Sequence, residues 1–138
     1  MPKIQLPAVM GNLDQMIQFV LDGFQEYDYE DKEQFTGKLR LACEEALVNI
    51  INYAYGDNMG EVEIIYNFYP DNSEFEVKII DKGIPFNPLE SDTPDIDLPM
   101  EEREIGGLGI FMIKEIMDEV RYKREDGKNN LILIKYLN

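Results

Sequence analysis

Glu61-Val62-Glu63-Ile64-Ile65-Tyr66-Asn67-Phe68-Tyr69 is followed, after Pro70-Asp71-Asn72-Ser73, by Glu74-Phe75-Glu76-Val77-Lys78-Ile79-Ile80-Asp81, and it is here that the sequence changes period. Val62, Ile64, Tyr66 and Phe68 alternate with Glu61, Glu63 and Asn67, and Phe75, Val77 and Ile79 alternate with Glu74, Glu76 and Lys78. Each run predicts a strand with one apolar face, and the turn residues between them predict a hairpin. Upstream the apolar spacing is helical. Leu13, Met16, Ile17, Val20, Leu21 and Phe24 predict a helix capped by Asn12 and ending near Tyr27. Phe35, Leu39, Ala42, Ala46, Leu47, Ile50 and Ala54 predict a longer one, from about Glu30 to Tyr55, with Gly56 placed to end it. Lys3 to Val9, bracketed by Pro2 and Pro7, reads as an edge strand.

Downstream of Asp81 the periodicity disappears until Gly109. Between Pro88 and Glu104 stand three prolines and seven acids against one base, Arg103. This composition predicts a long mobile loop, and loops of such length inside a domain tend to be functional lids or disordered segments. A third helix is predicted over Leu108 to Asp118. Two last strands, Val120 to Arg124 and Leu131 to Leu137, are expected to turn through Gly127-Lys128-Asn129-Asn130. Helices that are grouped rather than alternating singly with strands indicate an α+β sandwich. Its sheet is expected to be largely antiparallel or mixed, with helices on one face.

The 138 residues fit one domain. Lys and Arg total 13 against 28 Asp and Glu, a formal charge of −15, which disfavours direct binding of nucleic acid or of an anionic membrane. No apolar run approaches the ~18 residues of a membrane span, and the first residues lack the apolar block of a signal peptide. With no histidine in the sequence, Ser-His-Asp and Cys-His triads and imidazole metal sites are excluded. Acid–base work falls to carboxylates, Lys or Tyr. The single Cys43 cannot form an internal disulfide, and a reducing cytoplasm fits best. Cys43 and the methionines, Met112 and Met117 among them, read as core or interface filler.

Three places could carry chemistry. Glu45 and Asn49, four apart on the second helix, share a face and could pair a general base with an oxygen ligand for Mg²⁺; a solvated helix edge would look the same. In Asp81-Lys82-Gly83-Ile84-Pro85-Phe86 an acceptor-only carboxylate could take a hydrogen bond from an exocyclic amine such as adenine's, while Gly83 lets the backbone come close to a flat ring. An ordinary turn after a strand uses the same residues. Gly106-Gly107-Leu108-Gly109, where the loop meets the third helix, could wrap a phosphate at the helix start or act only as a hinge.

In this order, the three segments resemble the nucleotide-binding boxes of the GHKL (Bergerat-fold) ATPase superfamily, and most closely its branch of anti-sigma factor serine/threonine kinases. Glu45-Ala-Leu-Val-Asn49 is similar to the Asn-containing box, Asp81-Lys-Gly83-Ile-Pro-Phe86 to the first glycine box, and Gly107-Leu-Gly109-Ile-Phe to the second. The resemblance spans nearly the whole chain. It implies a two-layer α/β sandwich with a mixed, mainly antiparallel sheet and three helices on one face, binding Mg-ATP under a lid at about residues 87–105. By resemblance, Glu45 would activate a Ser or Thr hydroxyl on a protein substrate and Asn49 would hold magnesium. Asp81 with Gly83 would read adenine. Gly106, Gly107, Leu108 and Gly109 would wrap the triphosphate, with Arg103 the nearest cation to reach it. The implied partners are an anti-anti-sigma protein of the STAS fold, a sigma factor and a second copy of the chain, joined through the N-terminal strand. A non-catalytic module, in which ATP or ADP sets partner affinity, is the alternative.

Overall fold

The computed structural model describes residues 2–27, 31–56, 58–85 and 107–137, and of Gly107 and Leu108 the backbone alone. The expected lid, with Arg103 and Gly106, lies outside the described residues. Five strands, β1 (Lys3–Pro7), β2 (Glu61–Tyr69), β3 (Glu74–Asp81), β4 (Glu119–Glu125) and β5 (Lys128–Tyr136), form one sheet in the order β1-β2-β3-β5-β4. All four pairings are antiparallel, so among the described residues the sheet is not mixed. Helices α1 (Leu13–Gln25), α2 (Lys32–Asn49) and α3 (Gly107–Ile116) complete the fold.

The period-2 reading of the central hairpin sets the register. Val62, Ile64 and Tyr66 stand opposite Asp81, Ile79 and Val77, and on the far side Ile79 and Val77 face Leu131 and Leu133. These side chains are all buried and line one inner face. On α1, Met16, Val20 and Phe24 are fully buried at helical spacing. Phe24 meets Phe75 edge-on at 5.2 Å between ring centroids, and Tyr27 stacks on Phe68 at 4.3 Å. Burial of each such side chain contributes about 1.5–3 kcal/mol, so the aromatic seam between α1 and the hairpin anchors one end of the sandwich.

The other end is organised by α2. The predicted single helix to Tyr55 is α-helical only to Asn49; Ile50–Ala54 forms a π-helical turn, and Gly56, at φ +58°, ends it. The wider turn is set against the chain leaving β3. Ile84 N–H donates to the Ala54 carbonyl at 3.0 Å, and a Cβ placed on Gly83 would stand 2.2 Å from that oxygen.

Two local expectations are corrected. Asn12 does not cap α1: its Nδ2 donates to the Pro7 carbonyl at 2.9 Å, tying β1 to the short 3-10 turn Met10–Asn12 that precedes the helix. The last hairpin does not turn through residues 127–130, because Glu125 already pairs with Lys128. Its loop is Asp126-Gly127, with φ of +53° and +75°, the two-residue turn whose twist matches that of the strands. Asn129 and Asn130 therefore belong to β5.

Two glycine substitutions are expected to act with opposite sign. Gly37 lies inside α2 with nothing within 4 Å of an added Cβ; Gly37→Ala should raise unfolding stability by about 0.5–1 kcal/mol. Gly83→Ala forces the π turn and the β3 exit apart and should lower it by about 1–3 kcal/mol. Urea unfolding of the two variants beside the parent chain measures both.

Candidate functional site

Between α2, its π turn, the ends of β3 and β5, and the first turn of α3 lies a pocket open to solvent. Ala46, Ile50, Ile84, Ile110 and Leu131 make its walls apolar, and Asn49, Asp81 and Asn129 bring polar groups to it. A concave apolar site with a few placed polar groups suits a small organic ligand.

Asp81 is the last residue of β3 and is only 5% exposed. The strand alternation that buries Phe75, Val77 and Ile79 turns Asp81 inward as well. Its Oδ1 accepts two hydrogen bonds, from Gly83 N–H at 2.8 Å and from Asn129 Nδ2 at 3.0 Å. Asn129 Nδ2 also donates to the Ile84 carbonyl at 2.8 Å. The Asn129 Oδ1 accepts from Tyr122 Oη at 2.5 Å and from Arg124 Nη1 at 3.1 Å, and Arg124 Nη1 donates further to the Gly83 carbonyl at 2.9 Å. From the other side, the Lys82 N–H donates to Tyr55 Oη at 2.8 Å, and that hydroxyl donates to the Glu61 carbonyl. Burial raises the Tyr55 pKa, with the neighbouring Asp81 charge acting in the same direction, so the phenol keeps the proton this bond needs.

Glu45 and Asn49 are half-buried on α2 and share a face, as their spacing requires. Asn49 lines the pocket; Glu45 lies one turn before it, where α2 meets α3. A Cβ added to Gly109 would stand 2.5 Å from Glu45 Oε2, so the carboxylate rests directly against the backbone of α3's first turn. The structure thus brings Glu45 to Gly109, and Asn49 and Asp81 to one pocket. Gly107 and Leu108 open α3. At Gly83 the missing Cβ makes room for the Ala54 carbonyl. Cys43 is fully buried, and desolvation pushes its thiol up to about 12, so it is core and not a nucleophile.

Sequence reasoning missed Asn129, Tyr122 and Arg124. The assignment of Asn129 to a turn hid it, although it is in phase with the inward-facing Leu131 and Leu133. An Asn in phase with buried leucines, opposite an Asp in phase with the buried Phe75, Val77 and Ile79, was the available signal.

A family model described as the histidine kinase-like ATPase domain matches residues 7–135. The serine-protein kinase RsbW of Bacillus mycoides (strain KBAB4) is 30% identical over 115 residues, 80% of this chain and 68% of the relative. RsbW of Bacillus cereus (strain AH187) is 31% identical over the same length and coverage. Two solved structures share the fold. The RsbU and RsbW domains of Rv1364c from Mycobacterium tuberculosis superpose with a TM-score of 0.63 at 13% identity, covering 99% of this chain, which spans 33% of that one. The catalytic domain of the histidine kinase ThkA gives 0.56 at 16% identity, covering 99% of this chain and 97% of that one. The chain therefore belongs to the histidine kinase-like ATPase family, in the GHKL branch of anti-sigma factor serine/threonine kinases.

Proposed function

We propose that this protein is an ATP-dependent anti-sigma factor that phosphorylates a serine or threonine of an anti-anti-sigma STAS protein and binds a sigma factor. The observation that carries the reading is the Glu45 carboxylate, which lies against Gly109 and has no hydrogen-bond partner among the described residues. A binding-only domain has no need of a free carboxylate at that point.

The residues present fit Mg-ATP. The pocket walls are apolar, as a purine ring requires, and Asp81 offers one carboxylate oxygen, Oδ2, that no described residue engages. The Asn49 amide is likewise without a partner among the described residues, leaving its oxygen available to Mg²⁺. At the start of α3 the backbone N–H groups and the positive end of the helix dipole favour an anion. When bound, Mg-ATP supplies the phosphoryl group and the metal offsets its charge. The work of the chain is to hold the purine at Asp81, to hold magnesium at Asn49 and to take the proton. Glu45 would accept the proton of the substrate hydroxyl, so that the hydroxyl oxygen could take the terminal phosphoryl group with ADP as the leaving group. In this reading the protein acts in the cytoplasm as a homodimer, and β1, an edge strand, offers its outer side to a second copy. Among the described residues no helix is long and apolar enough to cross a membrane.

Transfer of radiolabelled γ-phosphate to the cognate STAS protein tests the reading. Glu45→Ala should bind Mg-ATP as the parent does and transfer phosphate about 10²–10⁴-fold more slowly; equal transfer by the variant would remove Glu45 as the base. A parent chain that binds Mg-ATP calorimetrically but phosphorylates nothing would instead be a nucleotide-set regulatory module. Gly109→Ala offers a second check. The one close approach among the atoms nearest its Cβ is to the mobile end of the Glu45 side chain, Oε2, so the fold should persist while the displaced carboxylate slows transfer by about 10²-fold.

A further inference from the structure

A protein substrate has to bring its hydroxyl to the Glu45 carboxylate, and one side of that carboxylate is reserved. One turn onward along α2, Asn49 lines the pocket read as the nucleotide site, and Gly109 of α3 stands directly against Glu45. In the opposite direction the seam between the two helices continues into a second groove. It lies between the first turns of α2 and the last turns of α3, and Lys135 of β5 also lines it. Gln34, Lys38, Leu41 and Glu45 are spaced by four, three and four residues, and on α3 Gly109, Met112 and Ile116 by three and four. These intervals keep side chains on one face of a helix. The groove and the carboxylate therefore share one stripe of α2 and one stripe of α3.

The chemistry of the groove is that of a docking surface. Leu41, Met112 and Ile116 line it and are half-buried, and a methionine adapts its shape to what it meets. Asp118 is paired with Lys135 at 3.4 Å, and that ammonium lies 4.8 Å from the centroid of the Phe35 ring. Asp31, Lys38 and Glu115 are exposed and form no ion pair among the described residues, which leaves two acids to one base. Asp31 stands at the N-cap of α2, yet its side chain makes no capping hydrogen bond, so its carboxylate is open to a partner. An apolar strip rimmed by two unpaired acids is complementary to an apolar side chain with a basic neighbour. At 1.5 Å of rise per residue, Lys38 lies about 10 Å and Gln34 about 16 Å from Glu45 along the helix.

We propose that the α2–α3 groove is a docking surface for the protein substrate, taking a segment with an apolar side chain and an adjacent basic residue about 10–16 Å from the hydroxyl that is phosphorylated. The proposal rests on the reading of the chain as a protein kinase with Glu45 as its base. Docking here holds the substrate without touching the reacting atoms, so the groove contributes to substrate affinity and not to the chemical step.

The test is steady-state phosphate transfer from Mg-ATP to the cognate STAS protein by the full chain and its variants, with calorimetric Mg-ATP binding and thermal unfolding of each. Met112→Ala should raise KM for the protein substrate about tenfold, the loss of one apolar anchor. Asp31→Asn and Glu115→Gln, changes at exposed positions that leave the core intact, should each raise it about threefold and weaken its dependence on salt. In all three, kcat and Mg-ATP affinity should stay at the parent's values. Lys123→Glu, on the opposite face of the sheet, should leave KM unchanged. A KM unchanged in both acid variants, or a loss of kcat and Mg-ATP affinity in step with any rise in KM, overturns the docking assignment while leaving the kinase reading in place. A parent chain that binds Mg-ATP but transfers no phosphate overturns the kinase reading, and with it this inference.

Discussion

A carboxylate buried at the end of a strand must be hydrogen-bonded or it costs several kcal/mol, and Asp81 imposes that condition on much of this molecule. Of its two donors one is local, the backbone two residues on, and the other is a side chain from the last strand, 48 residues away. To bring them together, β5 must lie beside β3 in one register and the chain after Asp81 must turn sharply. That turn is then closed from one side by Arg124 and from the other by Ala54 and Tyr55. Asp81 and Asn129 are the buried polar side chains among the described residues, and they are bonded to each other. The polar end of the core and the floor of the pocket are one structure.

Helix α2 serves this arrangement twice. Its inner face, with Phe35, Leu39, Ala42, Cys43 and Leu47, is ordinary core. Its last α-helical turn sets Glu45 against α3 and Asn49 into the pocket, and the π turn beyond then reaches the β3 exit. A π turn is a costly irregularity that persists where the surrounding structure holds it. Here the Ile84 hydrogen bond and the contact at Gly83 do so. The acidic character of the chain stands apart from this site: the groups available to a polyanion among the described residues are backbone N–H, an amide oxygen for a cation and a helix start, and the pocket walls carry no cationic side chain.

Most of the elements could be read from the one-dimensional pattern because their burial is periodic. The alternation in Glu61–Tyr69 and Glu74–Asp81 and the helical spacing of Leu13 to Phe24 are imposed by having one apolar face, and such faces leave their mark in sequence. Glu45, Asn49 and Asp81 could be singled out because polar residues interrupting apolar segments are conspicuous. Asn12 and the last turn were misread for a local reason. An Asn before a helix has two competing partners, and Asp126-Gly127 is itself a complete loop, so the residues after it had no need to be turn residues.

Composition and periodicity by themselves determined an acidic α+β domain without histidine chemistry, its strands and helices in order, and the residue types able to meet a purine, a cation and a hydroxyl proton. Only the tertiary structure decided which of those residues meet. Glu45 and Gly109 are 64 residues apart and touch because two helices cross there, a contact no local pattern encodes. The partnership of Asp81 with Asn129 arises from sheet order, β5 lying between β3 and β4, and strand order reflects the packing of the whole core rather than any property of either strand. The role of Gly83 was decided in the same way, by the carbonyl that folding brings to the place where a side chain would have stood.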